Sequence, residues 1–148
     1  MKQTGMDKLL DEIRKENKPS AGQEKVVDDF VRKINALLKK NRLKAACIKG
    51  GSFAKDTFLK DDFDVDLFVK FSRSYKDSEL SSLLGKAIKS LKPEKIHGSR
   101  DYYQLLHKKL FFEIVPVYEI KNPGEAVNVT DASPLHVAFV NKHLKKNP

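Results

Sequence analysis

The sequence predicts an α+β fold built as one domain, and three observations predict it. Two segments repeat apolar residues at helical spacing: Val26, Val27, Phe30, Val31, Ile34, Leu37 and Leu38 in the first, Leu80, Leu83, Leu84, Ile88 and Leu91 in the second. Three short apolar runs, Ala45 to Lys49, Asp64 to Lys70 and Leu110 to Ile120, stand between turn residues and have the length of strands. A chain of 148 residues is long enough to bury a core without disulfides or structural metals.

Taken in order, Asp7 to Asn17 reads as a short amphipathic helix with Leu9, Leu10 and Ile13 on one face, broken by Pro19-Ser20-Ala21-Gly22. A stronger helix follows from Gln23 to Lys40. Lys39, Lys40 and Arg42 cluster at its end, where they either complement the helix dipole or contact a phosphate backbone. Ala45 to Lys49 is a short strand leading into Gly50-Gly51-Ser52, with a short helix expected after Ser52. Ser74 to Leu91 is the next helix, with Asp77 and Ser78 as candidate caps. Tyr102 to Leu106 and Leu110 to Ile120 are strands joined by the basic turn His107-Lys108-Lys109. The density of apolar residues in the last strand suggests a central sheet position, with Pro116 marking a bulge or the end of pairing. After a loop to Asp131, Ser133-Pro134 reads as the N-cap and first residue of a final helix ending near Leu144.

Composition narrows the function classes. Hydrophobic residues make up 40% and charged residues 33%, the balance of a soluble globular chain. Lys and Arg number 29 against 20 Asp and Glu, a net charge of +9 that favours a polyanionic partner, nucleic acid first. A single cysteine, Cys47, excludes an internal disulfide framework or a cysteine-rich zinc site, and its apolar surroundings predict a buried thiol. The charged N-terminus lacks a signal-peptide core and no run approaches a membrane span, so a cytoplasmic protein without a membrane partner is expected.

The chemistry concentrates between Lys49 and Phe71, KGGSFAKDTFLKDDFDVDLFVKF. Residues two apart on a strand share a face, so Asp64 and Asp66 point one way while Val65, Leu67 and Val69 point into a core. Adjacent like charges are unfavourable unless a cation or water screens them, and Mg²⁺ accepts carboxylate, water and phosphate oxygens together. The Gly51-Ser52 turn offers backbone N–H groups and a hydroxyl to a phosphate chain, and Lys55 falls on the first turn beyond. An Asp-x-Asp alone is often a solvated strand face and Gly-Gly-Ser alone a turn; their combination points to nucleotide chemistry. Glu113 interrupts an apolar strand. It either completes a three-carboxylate site, if its strand lies beside Asp64 and Asp66, or faces solvent. His136 falls on the first turn of the last helix, and nothing local gives it a role.

Three segments, G-S-F-A-K-D-T-F-L-K-D-D-F-D-V-D-L-F-V, F-E-I-V-P-V-Y and D-A-S-P-L-H, carry a resemblance. In this order and spacing they resemble the catalytic domain of archaeal (class I) CCA-adding tRNA nucleotidyltransferases, in the polymerase-beta-like nucleotidyltransferase superfamily. The resemblance implies a small mixed β-sheet flanked by helices. It makes Asp64, Asp66 and Glu113 carboxylates for two Mg²⁺ ions, and places Gly51, Ser52, Lys55 and His136 at the nucleotide phosphates. Glu113 stands where aspartate is more frequent, Lys55 where arginine is usual, and Arg100 where the family often has histidine; Arg100 is assigned no role.

The expected function is metal-dependent transfer of a nucleoside monophosphate from CTP or ATP to an RNA 3′ hydroxyl, with tRNA 3′-end addition foremost. A stand-alone transferase acting on a protein or small molecule, or a non-catalytic RNA-binding subunit, are the alternatives. Family members continue into domains that read the base and hold tRNA. The chain is therefore expected to be a single catalytic domain, whether natural minimal enzyme, split half or excised part, with a partner chain or a homodimer supplying the rest and with blurred base selectivity on its own.

Overall fold

The structure, a computed structural model, describes residues 5–16, 21–51 and 64–144. Its helices and strands follow one another as α1 (Gly5–Glu16), α2 (Ala21–Lys40), β1 (Ala45–Lys49), β2 (Asp64–Phe71), α3 (Asp77–Ala87), β3 (Glu94–Ile96), β4 (Tyr102–His107), β5 (Leu110–Tyr118) and α4 (Ser133–Leu144). Short 3₁₀ turns occupy Lys89–Leu91, Pro123–Glu125 and Val129–Ala132. The α+β expectation therefore holds, and the five-stranded sheet runs β1-β2-β5-β4-β3 with β5 at its centre, as the apolar character of that strand predicts.

The sheet is mixed. β2 and β5 run parallel, while the β1–β2, β3–β4 and β4–β5 pairs are antiparallel. Strand alternation sorts the side chains into two faces. Val65, Leu67, Val69 and Phe71 of β2, with Phe112 and Ile114 of β5, are fully buried on one face. Val27, Phe30, Ile34 and Leu38 of α2 and Leu80 and Leu84 of α3 are buried in the same cluster. Phe30 packs on Phe112 with ring centroids 4.1 Å apart. Asp64, Asp66 and Glu113 belong to the opposite face.

Several boundaries differ from expectation for identifiable reasons. α3 starts at Asp77 rather than Ser74, because Ser72 to Tyr75 form a turn closed by the Tyr75 N–H donating to Ser72 O at 3.2 Å. Asp77 lies inside the helix and Lys76 is the boundary residue, so neither Asp77 nor Ser78 is the cap. The helix ends at Ala87, and the expected stretch to Leu91 tightens into a 3₁₀ turn before Lys92 at φ 55. Pro116 makes no bulge: the β2–β5 register runs unbroken through the Val69–Pro116 pair. Pairing with β4 stops at Ile114, so the proline falls where no N–H is required on that side. Ser133 is already helical at φ −59 and ψ −43, because the 3₁₀ turn before it runs directly into α4. The cap lies upstream, where Asn128 Oδ1 accepts from the Thr130 N–H at 3.0 Å. The stripe of α1 does not enter the core; Leu9 is 51% exposed.

β1 is an edge strand, and α2 covers it. Asn35 donates to Cys47 O at 3.1 Å and accepts from Cys47 N–H at 2.8 Å, taking both outward backbone groups at the middle of the strand. The Cys47 side chain is buried as expected, and burial pushes its thiol up to about 12.

Candidate active site

The parallel pairing of β2 with β5 brings two of the three expected carboxylates side by side. Asp66 is the register partner of Glu113, and Asp64 is the partner of Phe111. Neighbouring strands lie about 4.8 Å apart, so Asp66 and Glu113 project from adjacent positions on one face. Asp64 is exposed, whereas Asp66 and Glu113 are half-buried. The row continues onto β4, where Gln104 is the register partner of Glu113 and its amide donates to Glu113 Oε1 at 2.8 Å. Gln104 escaped the sequence reading, although its alternation with the core residues Tyr103 and Leu105 places it on the carboxylate face.

Gly51 closes the site from above. Its φ of 54 is the left-handed conformation glycine adopts without penalty, and a Cβ there would run into the Asp66 carboxylate, 3.1 Å from Cγ. The adjacent Gly50 N–H donates to Asp66 O at 2.7 Å, which fastens the turn to the strand bearing the acid. Ser52 and the helix expected after it, with Lys55 on its first turn, lie outside the described residues.

A cleft of about 310 Å³ opens over this corner, lined by Gly51, Asp66 and Phe68 on one side and by Ser133 and His136 of α4 on the other. His136 is exposed and faces the same space as Asp66, so residues far apart in sequence share one cavity. The donor set is made of hard carboxylate oxygens and suits a divalent cation such as Mg²⁺. Among the described residues no group of three or more His, Cys, Asp or Glu side chains is already gathered as a metal site. Asp64, Asp66 and Glu113 thus share a face without being drawn together.

The sequence reading also missed what holds α4 over the cleft. Arg100, left without a role, is 7% exposed, and Asp131 is fully buried beside it. The guanidinium pairs with Asp131 and Asp77 and donates to Pro116 O at 3.0 Å. Asp131 accepts further hydrogen bonds from the N–H groups of Tyr118 at 2.9 Å, Val127 at 3.0 Å and Asn128 at 2.9 Å. Burial pushes the Asp131 carboxyl up, but the hydrogen bonds from Arg100, Tyr118 and Asn128 outweigh it and hold the group below its ordinary value. Burial alone would lower Arg100, and Asp131 and Asp77 together raise it instead. The pair occupies the edge of β5 that β4 has vacated and ties the 3₁₀ turn before α4 to the sheet. No local pattern signals a contact across so many residues.

The basic cluster is not brought to the cleft. Lys39, Lys40 and Arg42 are exposed at the end of α2. They precede Ala45, whose partner is Phe71 at the far end of β2 from Asp64 and Asp66, about 20 Å along the strand.

The pattern of the nucleotidyltransferase domain family matches residues 31–136, most of the chain, from within α2 through the whole sheet to the first turn of α4. The chain belongs to this family. Its nucleotidyltransferase domain is similar to the CCA-adding enzyme of Nanoarchaeum equitans, 41% identical over 98 residues that cover 65% of this chain and 24% of that enzyme. It is also similar to a CCA-adding enzyme of Thermoplasma acidophilum, 30% identical over 122 residues covering 80% of this chain and 54% of that protein. The domain spans about a quarter to a half of these two relatives. Among solved structures, Cid1, described as an RNA terminal uridylyl transferase, superposes with a TM-score of 0.75 at 14% identity over 97% of this chain and 43% of its own. CdnC of E. coli MS115-1, in complex with a HORMA protein, gives 0.68 at 19% identity over 95% of this chain and 51% of its own. These likenesses establish the fold of polymerase-beta-like nucleotidyltransferases and the archaeal CCA-adding resemblance.

Proposed function

We propose that this domain transfers a nucleoside monophosphate from CTP or ATP to the 3′ hydroxyl of an RNA, and that a tRNA 3′ end is its acceptor. The observation that carries the reading is Asp66, the register partner of Glu113, opening onto a cleft that Gly51 and His136 also line. Similarity to CCA-adding enzymes supports the choice of acceptor.

Asp64, Asp66 and Glu113 would hold divalent cations, in keeping with the family's general use of such ions. When bound, these supply charge neutralisation at the phosphates and a lowered pKa for the attacking hydroxyl. The Gly51 turn, with Ser52 and Lys55, orients the triphosphate, and His136 meets its phosphates from α4. The hydroxyl oxygen forms a bond to the α-phosphorus, the α–β bridging bond breaks, and pyrophosphate leaves while the hydroxyl proton passes to solvent or to Glu113. Gln104 fixes the position of the Glu113 carboxylate.

The test incubates the purified protein with labelled CTP and ATP and tRNA lacking its 3′ end, with and without Mg²⁺. Mg²⁺-dependent label at the tRNA terminus is the expected result. Label on protein or small molecules but not on RNA would change the acceptor, and no turnover on any acceptor would leave an RNA-binding subunit.

A further inference from the structure

A second concave surface lies on the other side of the sheet, under its β3 edge. It is a groove of about 490 Å³ between the end of α3 and β3, lined by Lys86, Lys89, Lys92 and Lys95 with Pro93 and Tyr103. The four lysines recur at every third position. Continued over four residues, that spacing drifts round a regular α-helix and alternates faces in a strand, but the backbone here changes character as it goes. Lys86 and Lys89 are one turn apart where α3 passes into the 3₁₀ turn, in which residues three apart eclipse. Lys92, at φ 55 and with its N–H on Lys89 O at 3.0 Å, reverses the chain so that Lys95 on β3 returns beside them. All four are exposed. Among the described residues, the carboxylate paired with them is Asp101, 3.4 Å from Lys95 and shared with His97.

We infer that this lysine groove binds the phosphate backbone of the RNA whose 3′ end is extended, a proposal that rests on the RNA-acceptor reading above. Charge complementarity selects the occupant: four exposed lysines line one trough, and RNA presents a matching row of phosphates. The position suits an acceptor strand. Asp66, Glu113, Gln104 and Glu94 form one register row that leads from the cleft across β5 and β4 to the β3 edge, three strand spacings or about 14 Å. The groove lies beyond that edge, and an acceptor strand reaches it by turning round β3 rather than by following this acidic row. Lys39, Lys40 and Arg42 lie at the other side of the sheet, beside β1, and off this path.

The experiment measures binding of fluorescent tRNA lacking its 3′ end, and of a short single-stranded RNA, across a salt series without nucleotide. Replacing Lys86, Lys89 and Lys95 by Gln and Lys92 by Asn, which tolerates its backbone conformation, should lower the slope of log Kd against log salt for the single strand by about 3. Affinity at low salt should fall at least tenfold. The four Lys→Arg replacements should keep the slope, and the Lys39→Gln, Lys40→Gln, Arg42→Gln triple variant should change it less. Mg²⁺-ATP binding should be unaffected in every variant. RNA binding by the unaltered protein with a slope that survives loss of the four lysines overturns the groove alone. Absence of RNA binding by the unaltered protein overturns the acceptor reading as well. Displacement by polyglutamate more readily than by RNA would reassign the groove to an acidic protein.

Discussion

Two sets of carboxylates sit at the two sides of β5 and are treated oppositely. Asp131 is fully buried, meets a guanidinium and three backbone N–H groups, and is ionised by its own surroundings. Glu113 is half-buried, stands beside Asp66 in register, and receives the neutral amide of Gln104. The first arrangement spends its charge on holding the chain together. The second sets two acidic side chains in register on one face, the arrangement that the proposed cation site uses.

Removing a member from each set should therefore damage different properties. Asp66→Asn should reduce nucleotide transfer by about 10³-fold or more, the scale on which one preorganised electrostatic group acts. Its melting temperature should stay unchanged or rise as repulsion is relieved. An active Asp66→Asn protein would end the contrast.

Asp131→Ala should do the reverse, costing about 3–5 kcal/mol of stability in urea titrations because Arg100 is left buried without its main partner. Replacing both, as Arg100→Met with Asp131→Leu, should recover only part of the loss, since the Tyr118, Val127 and Asn128 N–H groups still lack an acceptor. Full recovery would mean that the ion pair alone matters.

The pH dependence sharpens the same point. Asp131 is held below its ordinary value of 3.8, so its contribution to stability is fully present above that pH and is lost as pH falls through the lower folded value. Urea midpoints should drop below about pH 4 in the unaltered protein, and the Asp131→Asn variant should lack that part of the fall.

Gln104→Leu should have the smallest effect, about 1 kcal/mol for one hydrogen bond to a half-buried carboxylate. It should alter the Mg²⁺ dependence of transfer more than the melting temperature. An unchanged Mg²⁺ dependence would make the glutamine a packing residue.

What the sequence revealed and what it hid follows the range of the signals. Val65, Leu67 and Val69 alternate with Asp64 and Asp66 within one strand, so local periodicity assigned the two faces correctly. The centrality of β5 came from its own apolar density. The neighbour of Asp66 could not be read locally, because register across a parallel pair is set by the whole sheet. Arg100 and Asp131 carry no period, and their meeting depends on β4 ending where Pro116 begins to need no partner. The lysines at the β3 edge were passed over because three-residue spacing aligns side chains only once a 3₁₀ turn is known to be there.

The clasp of Asn35 on Cys47 has a consequence for association. In an exposed edge strand the outward N–H and C=O groups offer a template for a strand from another molecule. Here the middle residue of β1 has both groups occupied by a helix side chain, so an incoming strand must first break two hydrogen bonds and displace α2. Lateral growth of the sheet is thereby confined to β3, which is three residues long and flanked by lysine. A small sheet with one edge clasped and the other short and charged resists edge-to-edge aggregation, which keeps its carboxylate face available to ligands.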